Sequence, residues 1–160
     1  MTVIDMPVLG QRSSLAWHAL FDLSEKVPNN WCLVGGQMVH LWCVERDTTP
    51  NRPTDDADAV LDVRAQPTIL HQVTKALVDI GFESAGESPE GHQHRWTRGD
   101  ATIDLLIAEH VGEKAAARRG VTGGTPWKPE DPTKQSTGLS WSPSTMMNAR
   151  PRSGGRTFLG

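Results

Sequence analysis

The segment WCLVGGQMVHLW, residues 31–42, narrows the choice of fold more than any other stretch of the chain. A short apolar run ends in two glycines, and a new apolar pattern starts at once with Met38, Leu41 and Trp42 at helical spacing. The run at 31–36 reads as a strand leading into a tight turn, and 37–46 reads as a helix. The surrounding sequence repeats the alternation. Residues 13–27 place Leu15, Ala16, Ala19, Leu20 and Leu23 on one helical stripe, with Ser13 or Ser14 able to cap the start and Pro28 after the end. DADAVLDV, 56–63, is a second strand. Pro67 opens a helix over 67–82 whose stripe is Ile69, Leu70, Val73, Ala76, Leu77 and Ile80, and Gly81 stops it. An edge strand fits 82–85, and 92–108 fits a hairpin turning at Arg98-Gly99-Asp100.

Strands alternating with helices and closed by a hairpin predict an α/β domain, a mixed β-sheet backed by helices. The domain is expected to span residues 1–121. Residues 122–160 are crowded with Pro, Gly, Ser and Thr, and their apolar residues follow no period. This composition predicts an irregular tail, poorly ordered or held by docking. Up to Val111 the chain has eight basic and sixteen acidic residues, and after it eight and three. The net charge of -3 implies no general affinity for nucleic acid or an anionic membrane. No apolar run is long enough to span a bilayer, and the first residues do not form a secretory signal, so a cytoplasmic protein is expected. Cys32 and Cys43 lie in apolar surroundings and read as buried free thiols rather than as a bridge or metal pair.

Four aspartates, Asp55, Asp56, Asp58 and Asp62, crowd the second strand. Asp56 and Asp58 are two apart and would share a face of a strand. Two carboxylates on one face repel unless a proton or cation lies between them, and oxygen-only ligands select Mg²⁺ or Mn²⁺. Asp104 interrupts the apolar run TIDLLIA and can complete a three-carboxylate set if the two strands are neighbours. A solvated, acidic turn before a strand is the plain alternative. Asp55 and Asp62 read as surface or supporting charges. Gly35 and Gly36, between strand and helix, would let backbone N–H groups approach a phosphate, or would serve only the geometry of the turn. His92 and His94 share a strand face and read as surface residues before metal ligands. Trp17, Trp31, Trp42 and Trp96 fit the core or its rim.

The order LVGGQMVHLW, RPTDDAD, ATIDLLIA resembles the AbiEii-type nucleotidyltransferases, toxins of type IV-like toxin–antitoxin pairs within the DNA polymerase beta-like superfamily. The resemblance rests on Gly35, Gly36, Arg52, Thr54, Asp56, Asp58 and Asp104 and covers residues 13–111. It implies a minimal nucleotidyltransferase-like fold and Mg²⁺-dependent transfer of a nucleotide from a nucleoside triphosphate to an RNA end, such as that of tRNA, or to a protein hydroxyl. By that resemblance Gly35 and Gly36 hold the β- and γ-phosphates. Asp56 and Asp58 hold metal, and Asp104 helps deprotonate the acceptor. Thr54 donates to phosphate. Arg52 pairs with phosphate or braces Asp56, or is a solvated loop arginine. An antitoxin is the implied partner. The chain departs from the family after Val111, where relatives continue into a helical segment that closes the cleft. Lys114, Arg118 and Arg119 are the clustered basic residues there, and a solvated helical face is their expected role. A partner chain, such as a homodimer exchanging C-terminal segments, would close the cleft. The competing expectation is a catalytically impaired, truncated binding module with the same fold.

Overall fold

A computed structural model describes residues 10–51, 54–86 and 94–107, together with the backbone of 4–6 and 149–151. The elements run β1 (Ile4–Met6), α1 (Gln11–Lys26), β2 (Trp31–Val34), α2 (Gly35–Glu45), β3 (Asp56–Leu61), α3 (Ile69–Asp79), β4 (Glu83–Ser84), β5 (Arg95–Arg98), β6 (Ala101–Ile107) and β7 (Ala149–Pro151). The fold is α/β, with three helices among the described residues and a mixed five-stranded sheet of order β2-β3-β6-β5-β4. Within this sheet β3 and β6 run parallel, and the other neighbouring pairs are antiparallel. A parallel pair needs a crossover connection, and the chain between β3 and β6 supplies α3.

The core lies on one face of the sheet. Trp31 and Leu33 of β2, Ala57, Ala59 and Leu61 of β3, Trp96 of β5, and Ala101, Ile103, Leu105 and Ile107 of β6 are all buried. They recur every second residue, as a strand with one apolar face requires. All three helices contribute to this core. The α1 stripe is buried at Ala16, Ala19, Leu20 and Leu23, joined by Trp17, while Leu15 is only partly covered. The α3 stripe is buried from Ile69 to Leu77, with Ile80 at its rim. α2 gives Met38 and Leu41.

Several element ends differ from the sequence expectation. α1 begins two residues early, at Gln11, and its N-cap is Gly10 without a side-chain cap. Ser13 is instead buried inside the first turn, beside Gln37. α3 begins at Ile69, because Pro67 and Thr68 form a turn ahead of it. Arg98 donates to the Ile80 carbonyl at the end of α3 at 2.7 Å, stacks over Phe82 and pairs with Asp22 at 3.5 Å. That cation satisfies a carbonyl the helix cannot use itself. Cys32 and Cys43 form no disulfide and are of intermediate burial, less enclosed than expected. Trp17, Trp31 and Trp96 are buried, and Trp42 lies at the rim under the Arg46 guanidinium, 3.8 Å from its ring.

Within the expected tail, β7 pairs in parallel with β1, Ile4 opposite Ala149. The rest of 122–160 lies outside the described residues, as do Arg52, His92, Lys114, Arg118 and Arg119. No described helix is long and apolar enough to cross a membrane.

Candidate functional site

The face of the sheet opposite the core carries the expected carboxylates. Alternation along β3 turns Asp56, Asp58 and Val60 away from the core, and alternation along β6 does the same for Thr102, Asp104 and Leu106. The parallel register sets Asp58 beside Asp104 and Asp56 beside Thr102. Asp56 and Asp58 share a face, and because β3 and β6 are neighbours Asp104 joins them on it. Asp104 is the most enclosed of them, 8 % exposed. Asp55 is exposed. Asp62 has a local role: its Oδ1 accepts from the backbone N–H groups of Arg64 and Ala65 at 3.2 and 2.9 Å, an Asx turn that ends the strand.

The two glycines meet this face directly. β2 passes into α2 with no residue between them, and Gly35 makes the reversal at a φ of +68°. A side chain is strained in that region, and a Cβ on Gly35 would also collide with the Asp58 carboxylate. A Cβ on Gly36 would stand 2.7 Å from the Thr54 Cβ. Close packing of Asp58 and Thr54 thus accounts for both glycines. It also brings the N-terminus of α2, with its partial positive charge, against the carboxylate face. Gln37 fixes the junction. It is fully buried, and its Nε2 donates to the Ser13 hydroxyl at 3.2 Å and to the Thr54 carbonyl at 3.1 Å. One amide ties α1, α2 and the approach to β3 together.

Arg95 is the residue that the sequence reading passed over. It lies opposite Asp104 across the β5–β6 hairpin. Its guanidinium grips Asp104 with two bonds, Nε to Oδ1 at 2.9 Å and Nη2 to Oδ2 at 2.7 Å. The same Nη2 reaches Asp56 Oδ2 at 3.4 Å. The hydrogen bond to Asp104, then that carboxylate's charge, raises the Arg95 pKa well above the ordinary guanidinium value; burial opposes the shift, and the charges of Asp56 and Asp58 add to it. The signal for Arg95 was in the turn. A two-residue turn at Gly99 and Asp100 sets Arg95 opposite Asp104, whereas the three-residue turn expected from the sequence would set His94 there.

A cleft of about 1030 Å³ opens beside this face, lined among others by Arg12, Gly36, Val39, Thr54, Asp56 and Thr102. Gly36, Thr54 and Asp56 reach it from the expected set; Asp58, Asp104 and Gly35 are not in its lining. Arg12, on the first turn of α1, brings a cation to it that the sequence reading did not single out.

The donor set, three carboxylates on one face, suits a hard divalent cation such as Mg²⁺ or Mn²⁺. As the side chains stand, no three Asp, Glu, His or Cys groups among the described residues are gathered to hold a metal ion. Both Asp104 oxygens are directed to Arg95 instead.

Neither a family model, nor a curated protein, nor a solved structure matches the chain. The fold and the site geometry are therefore the ground for its functional reading.

Proposed function

We propose that the chain is a Mg²⁺-dependent nucleotidyltransferase that moves a nucleotide from a nucleoside triphosphate to a hydroxyl, at an RNA end or on a protein, and acts as the toxin of a toxin–antitoxin pair. One observation carries the reading. Asp58 and Asp104 stand side by side on adjacent strands, with Asp56 on the same face, and the Gly35–Gly36 start of α2 packs directly against Asp58 and Thr54. That arrangement supports a single locus for phosphate and metal.

In this reading the α2 N-terminus and the Thr54 hydroxyl bind the phosphates, and Arg12 balances part of their charge from across the cleft. Asp56 and Asp58 would hold Mg²⁺, which when bound supplies neutralisation of the triphosphate and of the leaving pyrophosphate. Asp104 takes the acceptor's proton as its oxygen bonds to the α-phosphorus and the bond to pyrophosphate breaks. Asp104 can do so only after Arg95 releases at least one of its oxygens. Labelled transfer from each of the four triphosphates onto total RNA tests the proposal, with Asp58→Asn as the control. Label transferred by the wild type and lost in the variant is the expected result. Equal label in both places the chemistry elsewhere.

The Arg95 grip favours a second reading, a catalytically impaired module that binds nucleotides without transferring them. Nucleotide binding with no transfer under any metal would select it.

A further inference from the structure

We propose that Arg95 is the resident counter-cation of the carboxylate face, and that a divalent cation must displace it from Asp104 and Asp56 to bind there. The inference rests on the metal-dependent reading above and adds the device that regulates that site.

The guanidinium spends two donors on Asp104 and shares one of them with Asp56, so a single cation links carboxylates from two strands. An arginine fork matches a carboxylate in this way more closely than any other side chain. Its position lies between the ligands that a metal would need, so the two cations cannot use the same oxygens together. The partners also differ in freedom. The Asp104 side chain is 12 % exposed and held within β6, whereas the Arg95 side chain is 47 % exposed. Arginine is therefore the member that can swing into water, with its charge solvated as it leaves. Asp104 cannot follow it. A guanidinium keeps its charge throughout the physiological range, so release is driven by a competing cation rather than by a proton.

This arrangement predicts a metal site of reduced affinity. A divalent ion gains the carboxylates only by breaking the Arg95 bonds, and a guanidinium that stays nearby repels it. Removing the arginine should tighten metal binding even though it removes a stabilising pair.

The test is a Mn²⁺ titration of the full chain, followed by the resonance signal of free Mn²⁺, with circular dichroism to monitor folding. Arg95→Gln is expected to bind Mn²⁺ about tenfold more tightly than the wild type, the effect of about 1.4 kcal/mol in binding free energy. Asp58→Asn is expected to lose binding. Unchanged or weaker binding by Arg95→Gln, with Asp58→Asn still defective, overturns the counter-cation role and leaves the metal reading standing. Binding by Asp58→Asn equal to the wild type, or no binding by any of the chains, overturns the metal reading itself. Should Arg95→Gln fail to fold, Arg95→Lys keeps the charge and loses the fork. It is expected to bind more tightly than the wild type, and equal or weaker binding overturns the proposal.

Discussion

On β3 and β6, residues adjacent in sequence occupy opposite environments. Ala57, Ala59, Ile103 and Leu105 are wholly excluded from water, whereas Asp56, Asp58 and Asp104 point to the other side of the same strands. One face is held by apolar contact with three helices, where the gain follows from area removed from water. The other is held by charge, with Arg95 linking two aspartates across the strands. The same backbone ladder supports both, so the two faces can be perturbed independently. The helix-backed face supplies the apolar core, and the carboxylate face is where binding is proposed.

The largest effect is expected on the apolar face. Leu105→Ala leaves a cavity where the side chain is fully buried and should cost about 2–5 kcal/mol in urea unfolding. A loss below 1 kcal/mol would mean that this face collapses around the gap, and the contrast between the faces would weaken.

Gly35→Ala comes next, at the point where the two faces meet. Left-handed backbone and the clash with Asp58 both oppose a side chain, and a loss of about 1–3 kcal/mol is expected. The same change should displace Asp58, so metal binding should fall further than the lost stability explains. Gln37→Leu removes the buried amide between α1 and the Thr54 carbonyl and should cost about 1–3 kcal/mol by the same denaturation assay.

On the charged face, Arg95→Gln strips a largely enclosed Asp104 of its fork. A fully buried pair broken this way costs about 3–5 kcal/mol, but half of Arg95 is in water, so about 1–2 kcal/mol is the expected loss of metal-free stability. Asp58→Asn should change stability by less than about 0.5 kcal/mol, since it relieves carboxylate crowding while keeping an acceptor at the start of α2.

The smallest effect belongs to the exposed Lys75–Asp79 pair on α3, 2.9 Å apart. The Lys75 hydrogen bond lowers the Asp79 pKa below the ordinary carboxylate value. Its contribution is therefore present above that ordinary value and is lost as pH falls through the depressed one. Wild type and Asp79→Asn should give nearly the same thermal melts at neutral pH, and any gap should close in acid.

How far these faces could be read from the sequence follows from the range of the signals. The periods of 2 and 3.6, with the turn residues, named the three described helices, the strands of the five-stranded sheet and the face shared by Asp56 and Asp58, because burial on one face writes that pattern locally, whereas β1 and β7 are too short to write one. Asp58 and Asp104 could be joined because both interrupt apolar runs. Arg95 escaped because an arginine on a strand is unremarkable until the hairpin register is fixed, and one residue more or less in the turn decides its partner. Ser13 looked like a cap from its place near the helix start, yet α1 extends past it and turns it inward to Gln37. The glycines were legible as a turn. That Asp58 and Thr54 fill the space beside them depends on packing between segments far apart in the chain.

On the proposed function, the carboxylate face and the Gly35–Gly36 helix start form one nucleotide–metal locus. Calorimetric titration of the full chain with a nucleoside triphosphate, with and without Mg²⁺, tests it most directly when repeated on Asp58→Asn. Binding by the wild type is expected to strengthen at least about tenfold with Mg²⁺, equivalent to about 1.4 kcal/mol, with no metal-dependent gain in the variant. Binding that ignores Mg²⁺ in the wild type, or an equal gain in Asp58→Asn, would contradict it.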